Sequence, residues 1–441
     1  MNNTNTWTTI LLVLMLLAPL PSFAAEITDI ADAVDTIKIG DHSKSDIFDA
    51  YVSTSFVLRY ESGFIAREAM GQSSDCNQNN PTNCDPVEEL AWKKSTATLN
   101  IDGEIGLFKD LSFTLRLPII VQQSLSFNYA DGITAAQSTI DPNTNQANDT
   151  LFDIPAEYQH AGVGNLELGL RYGPLNDERD HTKPNWIMFF SWAMPWTANV
   201  YRPGEHTGTS KRPVGTGVHY LTFGTALSKR VANLGLIGID PKIYRRGYLD
   251  PYFSIAYILP LPDRGIAEDP LLEKPGNPFG MKPSHRAQLT AGLEVVPYEE
   301  LKEGQRFAID IGMRATFHSE GRNYSLLTDP LQELTYTDQF LDLGGNISFI
   351  GQPIEYIKLV ASFEMGGRSK HFLTNENIGN DANGDNQVNE DDGAENLNPY
   401  WCGNSAGDKC STQSSYDQIG FRFRDQGHTY WSLHFKLQVM L

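Results

Sequence analysis

Apolar and polar residues alternate along much of this chain, and the alternation is clearest over the last eleven residues. From Trp431 to Leu441 the odd positions are apolar and most even positions are polar. Successive side chains of a β-strand point to opposite faces, so this segment predicts a strand with one apolar and one largely polar face. A strand of this kind that ends on an apolar residue is typical of the closing strand of an outer-membrane barrel.

The same period of two recurs in about twelve segments of the chain. In one of them Leu99, Ile101 and Ile105 alternate with polar side chains. The predicted strands cover residues 50–60, 96–107, 110–122, 163–173, 185–196, 217–228, 250–260, 286–297, 306–317, 336–349, 355–367 and 429–441.

Charged residues interrupt several of these strands on the polar side of the alternation. In the core of a soluble sandwich each would cost several kcal/mol, roughly 2–7 for an unpaired polar group. A water-filled lumen tolerates them. We therefore predict that five of them face a lumen and influence its selectivity: Asp102, Glu104, Arg116, Arg314 and Lys436.

The connections between predicted strands alternate in length. Long ones cover residues 61–95, 123–162, 261–284 and 368–428, whereas most of the intervening ones are short and residues 229–249 are the exception. Bacterial membrane barrels have short periplasmic turns and long extracellular loops, while a sandwich gives no reason for such alternation. The sequence thus predicts an all-β fold, a transmembrane antiparallel up-and-down β-barrel of about 12 strands with periplasmic termini.

The beginning of the chain predicts export. Residues 10–17 are uniformly apolar, and Ser22-Phe23-Ala24 supplies small residues for cleavage, although no Lys or Arg precedes the apolar run. This is typical of a signal peptide and far shorter than the roughly 20 residues of a membrane-spanning helix. We expect a signal peptide over 1–24, a periplasmic segment over 25–48, and a barrel over 49–441 with an extracellular insertion at 368–428.

Composition narrows the classes of protein further. The mean hydropathy of −0.34 is too low for a bundle of membrane helices but suits a barrel, whose apolar residues are spread by alternation. The net charge of −20 argues against nucleic-acid binding, which needs basic patches.

One segment of the last long loop has the spacing of a calcium-binding loop. Oxygen ligands recur at the expected positions 1, 3, 5, 7, 9 and 12 of a twelve-residue loop, with Asn386 in place of the usual Gly at the turn. The candidate Ca²⁺ ligands are Asp381, Asn383, Asp385, the Gln387 carbonyl, Asn389 and Asp392. The alternative is a solvated acidic loop without metal.

Cysteines occur as two local pairs, Cys76 with Cys84 and Cys402 with Cys410. Both pairs lie in predicted extracellular loops, and an even number in an exported chain favours disulfides. A metal–thiolate site is the alternative, but the spacing does not fit zinc.

Two segments resemble a known group of proteins. Residues 162–172 read GVGNLELGLRY, and Gly106-Leu107-Phe108-Lys109-Asp110-Leu111 is followed by Leu117-Pro118. These patterns resemble a broad group of proteobacterial outer-membrane barrels that are often described as transporters, some of them linked to phenol-degradation operons. The strand of that group has Asp where this chain has Asn165. The resemblance implies passage of small molecules and carries over no catalytic residue.

Three functions are compatible with these observations. The first is an outer-membrane channel for small solutes, including small hydrophobic or aromatic compounds, with membrane lipid and the solute as partners. The second is a plugged barrel whose calcium-ordered loops act as an adhesin or bind a partner. The third is a lipid hydrolase, which the absence of a recognisable triad motif disfavours, so we expect no enzyme activity. The oligomeric state stays open.

Overall fold

The computed structural model describes most of the predicted strands and part of the connections. The described residues are 28, 50–68, 86–108, 110–138, 140, 152–176, 183–197, 213–231, 248–262, 281–300, 305–331, 334–354, 356–376, 379–380, 396–397, 417 and 421–440. Within these ranges, no helix has both the length and the apolar character needed to cross a membrane.

The described residues form a closed antiparallel barrel of twelve wall strands. One of the twelve is interrupted and consists of β4 and β5 in succession. The wall strands are β1 (Ala50–Glu68), β2 (Pro86–Phe108), β3 (Leu111–Tyr129), β4 (Ala156–Val163), β5 (Leu166–Leu175), β6 (Asn185–Met194), β7 (Val218–Ser228), β8 (Tyr248–Pro262), β9 (Arg286–Glu300), β10 (Gln305–His318), β13 (Phe340–Ile354), β14 (Ile357–Arg368) and β18 (Phe423–Met440).

Shorter elements lie in the connections. They are β11 (Gly321–Asn323), β12 (Thr335–Thr337), β15 (His371–Phe372), β16 (Gly379–Asn380), β17 (Asn396–Leu397), a 3-10 turn over Ala135–Gln137 and the one-turn helix α1 (Thr328–Leu331). β11 pairs with β12, β15 pairs with β18, and β16 pairs with β17.

Each wall strand pairs with its neighbour in sequence, and the first strand closes on the last. Phe56 of β1 lies opposite Phe435 of β18 in the antiparallel register that seals the cylinder. The predicted fold class is therefore confirmed. A closed cylinder leaves no unpaired sheet edge, which is the condition for a β-structure to cross lipid.

The two ends of the barrel differ in their connections. At one end, which we call the tight-turn end, residues 109–110 join β2 to β3 and residues 355–356 join β13 to β14. Asp110 there has a φ of 46°, which an Asp tolerates better than most residues in a tight turn. The opposite, long-connection end carries residues 69–85, 130–155, 195–217, 263–285, 319–339 and 369–422.

Several strands differ in extent from the sequence prediction. β1, β2 and β3 extend well beyond residues 60, 96 and 122 at the long-connection end, so much of the predicted loops 61–95 and 123–162 is strand. The predicted strand 336–349 actually begins at Phe340, because residues 335–337 pair with β11 instead.

The segment that carries the family resemblance, residues 162–172, is broken rather than continuous. The Gly164 amide donates to the Pro118 carbonyl at 2.8 Å, and the Asn165 side-chain amide donates to the Val218 carbonyl at 3.1 Å. These two bonds connect the break to the neighbouring strand β3 and to the start of β7.

Side chains alternate between the two surfaces of the wall. Large apolar residues cover the outer surface, and Met313 and Phe435 there are 65% and 51% exposed. Their neighbours on the inner surface are largely polar, as Ser53, Glu104 and Gln438 illustrate. The outside of the cylinder is therefore apolar and its inside is mostly polar, the arrangement of a barrel that spans lipid.

The N-terminal segment 25–48 is represented by one described residue. Thr28 is buried, and its hydroxyl lies 2.8 Å from the Ser228 hydroxyl at the tight-turn end of β7. The predicted signal peptide 1–24 lies outside the described residues.

Candidate functional site

Polar side chains on the inner surface near the tight-turn end form a hydrogen-bonded network. Arg116 Nε donates to Asp102 at 2.6 Å, and the same guanidinium lies 3.9 Å from Glu167. The buried Glu104 accepts from the Ser112 hydroxyl at 2.5 Å and from Arg171 at 3.0 Å.

A second network crosses β10, β13, β14 and β18. Arg314 donates to Glu364 at 2.5 Å, and the Tyr430 hydroxyl donates to Asp342 at 2.9 Å. Arg368 also donates to Asp342, at 3.1 Å.

These two networks contain four of the five predicted lumen residues. The fifth, Lys436, is a partly buried residue of β18 opposite Ser55 of β1. All five occupy positions between the apolar, outward-facing ones. Their effect on selectivity stays a prediction.

Gly344 and Gly366 make room for the side chain of Tyr430 on the inner wall. A Cβ built on Gly344 or Gly366 would come within 2.5 Å of the Tyr430 side chain. A larger residue at either position would therefore collide with Tyr430.

Closer to the long-connection end the inner surface changes from polar to apolar. We call the resulting group the mouth cluster; it comprises Ile65, Leu90, Trp92, Leu125, Phe127, Ile140, Phe152, Leu327, Leu373 and Phe423. Burying an aromatic or branched side chain of this kind stabilises by about 1.5–3 kcal/mol. The cluster holds parts of three connections, residues 130–155, 319–339 and 369–422, against the inner wall.

The connection over residues 319–339 is anchored by polar contacts as well as by apolar ones. Its helix α1 buries Thr328 and Asp329. His160, on the wall strand β4, lies with Nε2 2.9 Å from the Asp329 carboxylate and with Nδ1 3.2 Å from the Pro213 carbonyl. A polar contact between buried groups thus attaches α1 to the barrel wall.

Next to helix α1 lies a cavity of about 420 Å³, which we call the chamber. Strands β2, β3, β4, β7, β9, β10, β13, β14 and β18 all contribute to its lining, so the chamber lies across the interior of the barrel. Its volume falls within the roughly 300–1,000 Å³ of small-molecule sites. The acidic, basic and histidine residues of the lining are Lys94, His160, Arg286, His318, Asp329, Arg368, His371 and Asp425.

Three stacked rings form part of the chamber wall. The Phe340 ring lies between His318, at 4.3 Å and 12°, and His371, at 4.2 Å and 22°. Burial lowers the pKa of His371, which lies outside the wall strands, so its imidazole is neutral at pH 7. The Arg368 guanidinium lies 5.6 Å from the centre of the Phe340 ring.

Arg286, at the start of β9, also lines the chamber. Its guanidinium carbon lies 5.2 Å from the centre of the Tyr220 ring. Arg286 is directly opposite His318 in the β9–β10 register, so the cation and the ring stack are neighbours.

The predicted calcium loop 381–392 and the four cysteines lie outside the described residues. Within the described part of the chain, no group of three or more His, Cys, Asp or Glu side chains is placed to hold a metal ion.

The chamber was not among the sequence-predicted sites. A signal was available, since apolar residues also alternate at the long-connection ends of β2 and β3, at Leu90 and Trp92 and at Leu125 and Phe127. In β2 these are even positions, opposite to the odd positions of Leu99 and Ile101. The four apolar residues at the long-connection ends lie on the inner surface, whereas the pattern of the other strands puts apolar residues outside.

Comparison with solved structures gives distant matches. An outer membrane channel from Pseudomonas putida F1 has 8% identity and a TM-score of 0.38, covering 88% of this chain and 95% of that chain. The outer membrane protease OmpT from Escherichia coli has 6% identity and a TM-score of 0.28, covering 89% and 97%. The TodX monoaromatic hydrocarbon channel, as a deltaS2 mutant, has 8% identity and a TM-score of 0.29, covering 88% and 90%.

No protein-family model matches the chain, and no curated protein matches it either. The class of protein is therefore defined by the structure itself: a closed twelve-stranded antiparallel barrel with an apolar exterior, which is a transmembrane β-barrel.

Proposed function

We propose that the protein is a channel of the bacterial outer membrane for small solutes, with a preference for small hydrophobic or aromatic compounds. The observation that carries the proposal is the chamber, a cavity of about 420 Å³ lined by strands from around the barrel and by a three-ring stack. The apolar outer surface supports a position in lipid. The orientation that follows has the tight-turn end in the periplasm and the long connections outside the cell.

Solute uptake by proteoliposomes tests this function. We expect protein-containing liposomes to take up small aromatic solutes faster than protein-free liposomes, with the rate falling for solutes larger than the chamber. Thr216→Trp adds bulk to the chamber lining and should reduce uptake. Leu221→Trp adds the same ring to the outer surface of the adjacent β7 and should leave uptake unchanged. Equal uptake with and without protein would overturn the proposal.

A plugged barrel is the second candidate, and the mouth cluster is the observation that favours it. The described parts of three connections pack against the inner wall through Ile140, Phe152, Leu327 and Leu373. Planar-bilayer conductance separates the two candidates, because a plugged barrel gives no single-channel steps. Measuring with and without millimolar calcium would show whether the connections respond to the cation.

The calcium site remains a proposal for residues 381–392. A bare loop of this type is expected to bind weakly, with Kd of about 10⁻⁴–10⁻³ M. Calorimetric titration of the full-length protein with calcium chloride tests this, with Asp385→Asn as the variant and Asp131→Asn, in another connection, as the control. Binding that Asp385→Asn leaves unchanged would exclude this loop.

Two disulfides, Cys76–Cys84 and Cys402–Cys410, are proposed for the exported protein. Peptide mass mapping after alkylation without reductant would show the two linked peptides. Four alkylated cysteines would contradict the assignment. The same mapping would locate the mature N-terminus, which we place after about Ala24.

Selectivity is proposed to depend on Asp102, Glu104, Arg116, Arg314 and Lys436. The reversal potential in a salt gradient measures it, and Asp102→Asn should shift the potential towards anion preference. The protein is proposed to have no enzyme activity, and hydrolysis of phospholipid micelles by the purified protein would contradict that.

A further inference from the structure

We propose that the chamber binds aromatic carboxylates, with Arg286 as the partner of the carboxylate and the adjacent ring stack as the surface for the aromatic ring. The inference rests on the proposed channel function and adds to it the chemical class of the solute.

Among the described residues, Arg286 differs from the other strong cations of the chamber because no acidic side chain pairs with it. Arg368 lies 3.1 Å from Asp342 and 3.5 Å from Glu61, and Lys94 lies 3.9 Å from Glu61. Among the described residues, no carboxylate forms an ion pair with Arg286. A partly buried cation without a counter-charge is unfavourable, and an anionic ligand would relieve that cost.

The two acids of the chamber do not serve as its counter-ions because donors already hold them. Asp329 lies 2.9 Å from His160. Asp425 accepts from the Trp92 indole at 3.1 Å and lies 2.8 Å from His428 Nδ1. The local charge around Arg286 therefore favours an anion over a cation.

The surroundings of Arg286 leave hydrogen-bonding capacity unused. Its guanidinium has five N–H donors in a planar fork that matches a carboxylate. In the described part of the chain its Nε has no hydrogen-bond partner, and neither does the hydroxyl of Thr216, another residue of the chamber lining. The contact with Tyr220 positions the guanidinium without using its N–H groups.

The position of the ring stack explains why the ligand would be aromatic. His318 is the cross-strand partner of Arg286, and directly opposed residues of an antiparallel pair have Cβ atoms about 4.5–5.5 Å apart. A carboxylate attached to a ring can therefore meet Arg286 while its ring lies against the stack. Offset or edge contacts between rings are favourable at centroid distances of about 4.5–7 Å.

Binding of benzoate and of its uncharged isostere benzamide to the purified full-length protein tests the inference. Calorimetry or ligand-observed NMR at pH 7.5 measures both in the same micelles. We expect the wild type to bind benzoate about tenfold more tightly than benzamide, the equivalent of one charge-assisted hydrogen-bonded contact. Arg286→Gln should abolish this preference, and Arg286→Lys, which retains the charge, should keep part of it.

Arg230→Gln is the matched control. Arg230 also lies over a tyrosine, with its guanidinium carbon 4.0 Å from the Tyr248 ring centre, but it lies at the tight-turn end and outside the chamber lining. This variant should keep the tenfold preference. Far-UV circular dichroism of each variant verifies that the barrel is folded.

Two results would overturn the inference: equal affinity of the wild type for the two compounds, or an undiminished benzoate preference in Arg286→Gln. If the channel function is wrong but the ligand class is right, the experiments give another result. In that case Arg286-dependent benzoate binding would persist in micelles while proteoliposomes took up no solute.

Discussion

His160 Nε2 lies 2.9 Å from the carboxylate of Asp329, and this contact joins the wall strand β4 to helix α1 of the connection over residues 319–339. His160 and Asp329 are both buried, so removal of either side chain breaks a hydrogen bond between two buried groups. Leaving a buried polar group unsatisfied costs about 1–3 kcal/mol. The contact therefore helps to keep α1 against the wall.

Asp329→Ala should weaken the attachment of α1. We expect faster cleavage of residues 319–339 by proteinase K and larger or more frequent conductance steps than in the wild type. Asp338→Ala is the control, because this acid belongs to the same connection but accepts from Asn375 rather than from the wall. Identical cleavage rates for Asp329→Ala and the wild type would show that α1 is held by its apolar contacts alone.

Removing one partner of the ion pair between Arg306 and Glu294 should destabilise the barrel strongly. The side chains of Arg306 and Glu294 are 2% and 1% exposed, so Glu294→Gln removes a carboxylate that pairs with a buried cation. The expected loss is about 3–5 kcal/mol in the free energy of unfolding. Urea titration in micelles, followed by tryptophan fluorescence, measures the change.

The ion pair between Asp102 and Arg116 should contribute much less to the free energy of unfolding than the buried pair between Arg306 and Glu294. Its arginine side chain is 59% exposed, so Asp102→Asn should cost only about 0–1 kcal/mol. Similar losses of unfolding free energy in Asp102→Asn and Glu294→Gln would show that burial does not decide how much an ion pair stabilises the barrel.

Consecutive residues of β14 allow the two surfaces of the wall to be compared at one depth. Phe363 lies on the outer surface and Ser362 on the inner one. Phe363→Arg should cost up to about 2–4 kcal/mol in lipid bilayers, as charges on the lipid face do, whereas Ser362→Arg should cost less. The free energy of unfolding in bilayers measures the cost of each substitution. A greater cost for Ser362→Arg would mean that Ser362, and not Phe363, faces the lipid.

The docking of residues 369–376 should weaken in acid. Burial lowers the pKa of His371, and Arg368 and His428 act in the same direction, against the opposite effects of Asp425 and the Ser369 carbonyl. Because the docked form holds the proton less tightly, its stability is full above the ordinary His pKa of about 6.5 and declines as the pH falls below it.

Proteolysis of this segment at pH 7.5 and pH 5 would measure the effect. We expect faster cleavage at pH 5, and a smaller difference in His371→Phe, which keeps a stacking ring without a titrating group. If the ratio of the cleavage rates at pH 5 and pH 7.5 is the same in His371→Phe as in the wild type, other histidines cause the pH dependence.

The barrel was predictable because its wall obeys one simple rule. A period of two places apolar residues outside, and Leu433, Phe435 and Leu437 of β18 follow the rule without exception. Loop length then indicated which strand ends belong together. Both signals are local, and so they are visible in a single sequence.

The chamber was not predictable in the same way because it depends on contacts between distant segments. Nothing in the sequence around Asp329 indicates that it meets His160, and α1 is a single turn without periodicity. The prediction assigned the long-connection ends of β2 and β3 to loops, because the alternating apolar residues there face the inside of the barrel. The β-bulge in the β2–β3 pairing near Ala97 and Thr98 also changes the register where the polar interior ends.

The mouth cluster has a consequence for how temperature affects the protein. Apolar burial weakens on cooling, whereas hydrogen bonds along the strands keep the cylinder intact. Near freezing, the three connections should therefore detach from Trp92, Phe127 and their neighbours more often than they do in warm water. Such a barrel would be leakiest in the cold.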